Sequence, residues 1–260
     1  MRRAATALLM ILPLTAAGRA TAGETACWFE NGALVAPAAM ADMAGDFVID
    51  LSAPRSLLHH TKAQMSGYGE IDLTLPVRLA GQRVEAAPIL VSNLDYRGVG
   101  FVTPIAGVIG ADILGRYVVV IDFDPCRLRL ETRSTTETPA GRVLPVTVVG
   151  GVATVQATAS DGFSSVTGAF ALDTASNGGV RARGDADGPR QTPAGVLAGL
   201  SLDGRLRQHV AAVRAGDLPR GVAGAVGVAI LSDYGLRLDV QAGRLWLTPK
   251  KKGPGVSARP

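Results

Sequence analysis

Three features of the 260-residue sequence predict an all-β protein with small helical insertions. First, period-2 alternation and short β-branched runs dominate, as in EIDLTLPVRLAG (70–81), RVEAAPILVSNL (83–94), YVVVIDFD (117–124) and CRLRLET (126–132), with Gly, Pro, Asn and Asp between them. Second, helical signals are few. PRSLLHHTKAQM (54–65) is one short candidate and ADILGRY (111–117) a shorter one. Third, the second half of the chain repeats the pattern of the first.

Taken in order, residues 1–22 have a basic start, an apolar run around ALLMILPLTAA and small residues at Ala20 and Ala22. That is the layout of a secretory signal peptide cleaved near Ala22, and it places the mature chain in the periplasm or outside the cell. The apolar run is short for a membrane span, so no stable membrane insertion is expected. A lipid anchor at Cys27 is the weaker alternative, because Glu24 stands where such a motif wants Leu.

The remainder is long enough for one large domain or two modest lobes. With 47% hydrophobic and 18% charged residues it is globular in composition. The formal charge of +4 belongs to the ends: without Arg2, Arg3 and Arg19 it is +1, and residues 23–249 carry −3. No basic patch on the body asks for nucleic acid, and aromatic residues are sparse for base stacking. The lysine-rich residues 250–260 are expected to form a solvated, disordered tail.

Two cysteines, Cys27 and Cys126, remain in an exported chain and invite one disulfide. It would close a loop of about 100 residues, contributing roughly 4 to 5 kcal/mol by loop-closure entropy. His59, His60 and His209 show no metal-ligand spacing, and two cysteines cannot close a zinc site, so neither a metal nor a cofactor is expected.

The polar segment ETRSTTETPAGR (131–142) is a linker near the midpoint, dividing an N-terminal lobe (23–138) from a C-terminal lobe (139–249). GVIGADILGRYVVVIDFDPCRLRL (107–130) aligns without gaps with GAVGVAILSDYGLRLDVQAGRLWL (224–247), with nine of 24 positions identical. FVIDLSA (47–53) likewise matches FALDTAS (170–176), placing Asp50 opposite Asp173, and the same offset puts Gly81 on Gly204. The chain is an internal duplication.

A single aspartate at a strand end is usually a turn or cap residue. A duplicated pair differs, because pseudo-twofold symmetry brings equivalent positions together. Two carboxylates about 3 Å apart cannot both ionise cheaply and so share a proton. One can then activate water while the other, protonated, polarises a carbonyl. Asp122 and Asp239 also recur, but they precede strand-to-hairpin transitions and read as structural; Asp112 has Ala229 as its counterpart and is not symmetric.

The order FALDTAS, meander, GAVGVAIL, LDVQAGRLWL resembles the retropepsin-like and pepsin-like aspartic proteases, and GVIGADILGRYVVVIDF is similar to their bacterial exported members. The resemblance spans most of residues 30–249, once per half. It implies a bilobal acid-protease-like fold of two pseudo-symmetric β-barrel lobes with short helices, in a single-chain form that has no need to dimerise. By the same resemblance Asp50 and Asp173 are the catalytic dyad of an endopeptidase acting on peptide or protein substrates. Ser52, Thr174, Ala175, Gly110 and Gly227 would support the two turns, and Gly67, Tyr68 and Gly69 would form the tip of a hairpin flap. The matching segment of the second half, RARGDADGPRQTPAG, is irregular, so one proper flap is expected. Few charges near the motifs suggest a preference for apolar side chains beside the cut.

The chain departs from the family pattern at Leu51, where the family has Thr or Ser, and at Ser52, where it has Gly. Thr174 fits and Ala175 is a mild change. Leu51 cannot supply the hydroxyl that cross-bonds the two turns, so one side of that brace is missing. The alternative to an endopeptidase is therefore a catalytically inactive pseudoprotease that binds peptide in the same cleft.

Overall fold

The computed structural model describes residues 22–132, 141–176, 178–183, 195–202, 204–213 and 218–250. Residues 1–21, which hold nearly all of the expected signal peptide 1–22, and the residues from 251 onward lie outside these, as do most of the linker and of the second-half counterpart of the expected flap.

Strand β1 (Ala22–Ala26) opens the chain at the edge of a sheet shared by the two halves. The first lobe follows as β2 (Trp28–Glu30), β3 (Ala33–Met40), β4 (Met43–Ile49), β5 (Leu57–His59), α1 (His60–Met65), β6 (Asp72–Leu79), β7 (Gln82–Ser92), β8 (Gly107–Ile109) and α2 (Ala111–Leu114). Strands β9 (Val118–Phe123) and β10 (Cys126–Glu131) return to the shared sheet, and β11 (Arg142–Pro145) joins its far edge. The second lobe runs β12 (Thr147–Val149), β13 (Val152–Ser160), β14 (Ser165–Asp173), β15 (Val180–Ala182), β16 (Gly195–Leu202), β17 (Arg205–Ala212), β18 (Gly224–Gly227) and α3 (Val228–Leu231). Strands β19 (Tyr234–Asp239) and β20 (Arg244–Pro249) complete the shared sheet, in the order β1-β10-β9-β19-β20-β11.

Each lobe is a closed six-stranded barrel. In the first, β3-β4-β8-β5-β7-β6 closes through β3–β6 pairing; in the second, β13-β14-β18-β15-β17-β16 closes through β13–β16. The duplication extends to register. The strand leading to each aspartate pairs in parallel with the later short strand, Phe47 opposite Gly107 and Phe170 opposite Gly224. The hairpin turns carry Gly81 and Gly204, both at positive φ, where a side chain would be strained. The all-β, bilobal architecture agrees with the sequence.

Alternation along each strand sends Leu, Val, Ile and Phe inward, and Phe47 and Phe170 are fully buried at equivalent positions of the two cores. Cys27 and Cys126 form a disulfide that ties the start of β10 to the segment between β1 and β2. Among the described residues no helix is long and apolar enough to cross a membrane.

Three sequence expectations are corrected. PRSLLHHTKAQM is not one helix: Leu57 and Leu58 form β5, bonded to β7 and β8, and the helix starts only after His59, whose ring nitrogen caps Thr61 N–H. Two adjacent leucines that satisfy a sheet between two neighbours outweigh local helical preference. Glu131, assigned to the linker, ends β10 and pairs with Arg237 at 2.7 Å. Lys250, assigned to the tail, belongs to the body: its N–H bonds Asp233 O, and its ammonium lies 3.3 Å from Asp122.

Candidate active site

Asp50 follows directly on β4, and Asp173 is the last residue of β14, so each carboxylate sits where a core strand gives way to a turn. Each turn is threaded against the short strand from the other side of its own sheet. Asp50 N–H bonds Ile109 O at 3.0 Å, and Gly227 N–H bonds Gly179 O at 2.9 Å. The close approach explains the glycine ending each apolar pair. A Cβ at Gly110 would stand 2.7 Å from Arg55 O, and one at Gly227 only 2.0 Å from Gly178 O. Both contacts are with backbone, which cannot swing away.

The two turns meet through Thr174. Its buried hydroxyl donates to Ile49 O at 2.6 Å and accepts from Leu51 N–H at 3.1 Å, while its own carbonyl accepts from Leu34 N–H at 2.8 Å. The reciprocal bonds are absent because Leu51 has no hydroxyl; its side chain is instead packed into the hydrophobic core. The cross-brace is thus made from one side only.

Asp50 and Asp173 are both almost fully buried, and both line one cavity of about 690 Å³. Their surroundings differ. Asp50 Oδ1 accepts from Ser52 N–H (2.8 Å), Ser52 Oγ (2.6 Å) and Ala53 N–H (3.1 Å), and Oδ2 accepts from Arg97 Nη1 (2.8 Å). Asp173 Oδ1 accepts from Ala175 N–H at 3.0 Å and Oδ2 from Arg181 Nη2 at 2.5 Å. Burial raises the Asp173 pKa above the ordinary carboxylate value and the Asp50 charge raises it further, against the opposing pull of Arg181 and the Ala175 N–H. For Arg97, burial works against the charge, but the Asp50 carboxylate outweighs it and the pKa is raised.

Arg97 and Arg181 are the residues that sequence reasoning missed. Arg181 lies on β15, where its counterpart in the first half is Leu57; Arg97 lies on the loop between β7 and β8. The duplication, which exposed the aspartates, is blind to groups present once. The cavity lining also includes Arg55, Tyr96 and Phe101, so an apolar cleft with few charges is not what forms.

The flap is the other correction. Gly67, Tyr68 and Gly69 are not at a hairpin tip: α1 ends at Met65 and the next strand begins at Asp72. Gly67 N–H bonds Gln64 O and Tyr68 N–H bonds Ala63 O, the pairing of a left-handed helix end, with Gly67 at φ +82°. Tyr68 packs against the core and does not line the cavity. The loop 93–106 instead contributes Tyr96, Arg97 and Phe101 to the cavity lining. Asp95 of that loop meets His59 Nε2 at 3.0 Å, Val99 O accepts from Asn31 Nδ2 at 3.0 Å, and the Glu30 carboxylate receives Val102 N–H and Thr103 N–H.

Asp112, set aside as asymmetric, has a structural task. Its carboxylate receives Ser56 N–H (3.0 Å) and Ser56 Oγ (2.6 Å), and Ser56 Oγ accepts from Gly110 N–H (2.9 Å). Among the described residues no cluster of His, Cys, Asp and Glu could hold a metal ion.

Among solved structures the chain is similar to the crystal structure of an aspartic proteinase from Irpex lacteus, with 13% identity, a TM-score of 0.54, and coverage of 89% of this chain and 98% of that one. The fold is that of the aspartic proteinases. A retropepsin-like aspartic protease from Rickettsia conorii matches over 45% of this chain and 96% of its own, with 19% identity and a TM-score of 0.34. No family model and no curated protein matches the sequence.

Proposed function

We propose that the chain is an exported aspartic endopeptidase, working as a monomer in the periplasm or outside the cell on peptide or protein substrates. The observation that carries this reading is the pairing of Asp50 and Asp173: two equivalent, buried carboxylates on one cavity, in turns cross-bonded by Thr174. Asp173, with its raised pKa, is the partner that keeps the shared proton. Asp50 takes a proton from water as the water oxygen bonds to the peptide carbonyl carbon, and Asp173 gives its proton to the carbonyl oxygen. The resulting diol collapses: Asp50 returns its proton to the leaving nitrogen, Asp173 recovers one from a diol hydroxyl, and the C–N bond breaks. No nucleic acid or membrane is part of this activity.

The pH profile follows from those roles. Cleavage requires Asp173 protonated, so it is lost as pH rises through that group's raised pKa.

A second reading, a pseudoprotease that holds peptide without cutting it, is favoured by two observations: both Oδ2 atoms are already occupied by arginines, and Leu51 has removed half of the brace. Peptide-library cleavage between about pH 3 and 7, with Asp50→Asn and Asp173→Asn alongside, decides between them. The endopeptidase reading expects acid-favoured cleavage that falls at least about 100-fold in each variant. Cleavage that survives in either variant would sink the mechanism, and a folded chain that binds peptides without cutting them would establish the second reading.

A further inference from the structure

Cleavage by the dyad needs Asp50 as an anion with an oxygen open to water, and Arg97 stands against that oxygen. Asp50 Oδ1 already accepts from three donors of its own turn, Ser52 N–H, Ser52 Oγ and Ala53 N–H, where a carboxylate oxygen has room for about two. A water can therefore deliver its proton only at Oδ2, and there Arg97 Nη1 donates at 2.8 Å. The pair is withdrawn from solvent, with the Arg97 side chain 28% exposed and that of Asp50 3%. A guanidinium in that place fills the approach to Oδ2 and sets a positive charge where a proton has to arrive, at a range and burial where charges act strongly.

The proton shared by the dyad does not release Arg97. With that proton on Asp173, whose pKa is raised, it is the Asp173–Arg181 contact that weakens, while Asp50 keeps its charge and with it Arg97. Arg97 is also held from behind. Its N–H bonds Leu94 O at 2.9 Å, Gly98 N–H bonds Leu94 O and Asp95 O, and Leu94 is fully buried. Asp95 meets His59 Nε2 at 3.0 Å, and Val99 O accepts from Asn31 Nδ2 at 3.0 Å. The turn 94–98 is thus fastened to the first barrel and aims one side chain at the dyad. That side chain has a second partner: Arg97 Nε donates to Tyr96 Oη at 3.4 Å, and Tyr96 is 67% exposed. If the guanidinium swings toward Tyr96, the three donors to Oδ1 still support the Asp50 carboxylate.

We infer that Arg97 is an inhibitory contact built into the site: the turn 94–98 presents it to Asp50, and the dyad works only while the side chain is swung away. The gain in cleavage on its removal rests on the endopeptidase reading; the blocked access to Asp50 does not.

The test uses two uncleavable peptides with a hydrocarbon link in place of the central peptide bond, one with a hydroxyl on the carbon where the diol would form and a twin without it. Their binding to the full mature chain, Arg97→Gln and Arg97→Lys is read by fluorescence anisotropy at about pH 5, above the ordinary carboxylate value. Cleavage of the parent peptide by the same three proteins is read by mass spectrometry. In the unaltered chain the hydroxyl should improve binding by no more than about twofold, because the guanidinium holds the position it would take. In Arg97→Gln the improvement should reach at least about tenfold, and cleavage should rise at least about tenfold with it. Arg97→Lys keeps a cation for Asp50, and with it the fold, but as a point charge without the guanidinium fork, and it should fall between the two. A tenfold hydroxyl gain already present in the unaltered chain, no increase in either variant, or no binding of either twin would overturn the inference. Should Arg97→Gln not fold, an Arg97→Lys that matches the unaltered chain overturns it alike. Cleavage by the unaltered chain that drops in a folded Arg97→Gln would overturn it and leave the endopeptidase reading standing. A hydroxyl gain that appears in Arg97→Gln without cleavage by any of the three would uphold the inference while the endopeptidase reading fell.

Discussion

In the first half of the chain the aspartate is held by its own turn, with three donors to Asp50 Oδ1; in the second, Asp173 receives one from the corresponding turn. The hydroxyl that makes part of the difference is Ser52, whose counterpart is Ala175. The cross-brace runs the other way: Thr174 of the second half reaches into the first, and the Leu51 side chain has no hydroxyl to return the bonds. Further divergences come as pairs. Ser56 and Asp112, bonded in the first half, correspond to Val180 and Ala229, so both partners of the bond are absent from the second half together. Cys126 of the disulfide corresponds to Gly243. A duplicated fold has thus acquired unequal chemistry, in which one carboxylate gathers more hydrogen-bond donors from its turn and the other has a raised pKa. For a reaction that needs a base and an acid side by side, that inequality is useful.

The comparison can be broken or sharpened experimentally, beginning with the largest effect. Replacing Cys27 and Cys126 together by Ser should cost about 4 to 5 kcal/mol by loop closure. Hydrogen exchange should show protection lost chiefly in the first barrel, and equal loss in both barrels would mean that the covalent tie does not distinguish them. Gly227→Ala should cost about 3 kcal/mol or more in denaturant melts, and more than Gly110→Ala, because its Cβ would meet backbone at 2.0 Å against 2.7 Å. A reversed order would show the first turn to be the tighter one. Thr174→Val leaves Ile49 O and Leu51 N–H buried without their partner and should cost about 2 kcal/mol, with peptide cleavage reduced beyond the stability loss. The smallest effect is a coupling. Ser56→Gly and Asp112→Ala made together should cost about 1 kcal/mol less than the sum of the single changes, since the second half lives without either; strict additivity would contradict the pairing.

Much of this arrangement was legible in the sequence because duplication marks whatever occurs twice. The aspartates, the Gly110 and Gly227 positions, the hairpin glycines and the two-lobe organisation all recur at fixed offsets, and Thr174 stood out against Leu51. What occurs once carried no such mark. Arg97 and Arg181 are ordinary arginines in DYRGVG and GGVRARG, and only the folded chain brings a loop and a short strand to the two carboxylates. Gly67-Tyr68 was misread because a glycine before an aromatic residue suits a hairpin tip and a helix end equally; the hydrogen bonds to Ala63 and Gln64 identify the helix end. The leucines of β5 lie in a segment with helical spacing, and the partners that make them a strand are more than 30 residues away in the chain.

The claim on which the account turns is that Asp50 and Asp173 act on one another, and a carboxyl NMR titration of Asp173 tests it most directly. In the unaltered chain the Asp173 carboxyl should titrate clearly above the ordinary value of about 3.9, and in Asp50→Asn its midpoint should move down, because the neighbouring negative charge is gone. An Asp173 that titrates at the ordinary value and is indifferent to Asp50→Asn would mean that the two carboxylates share a cavity but not a proton.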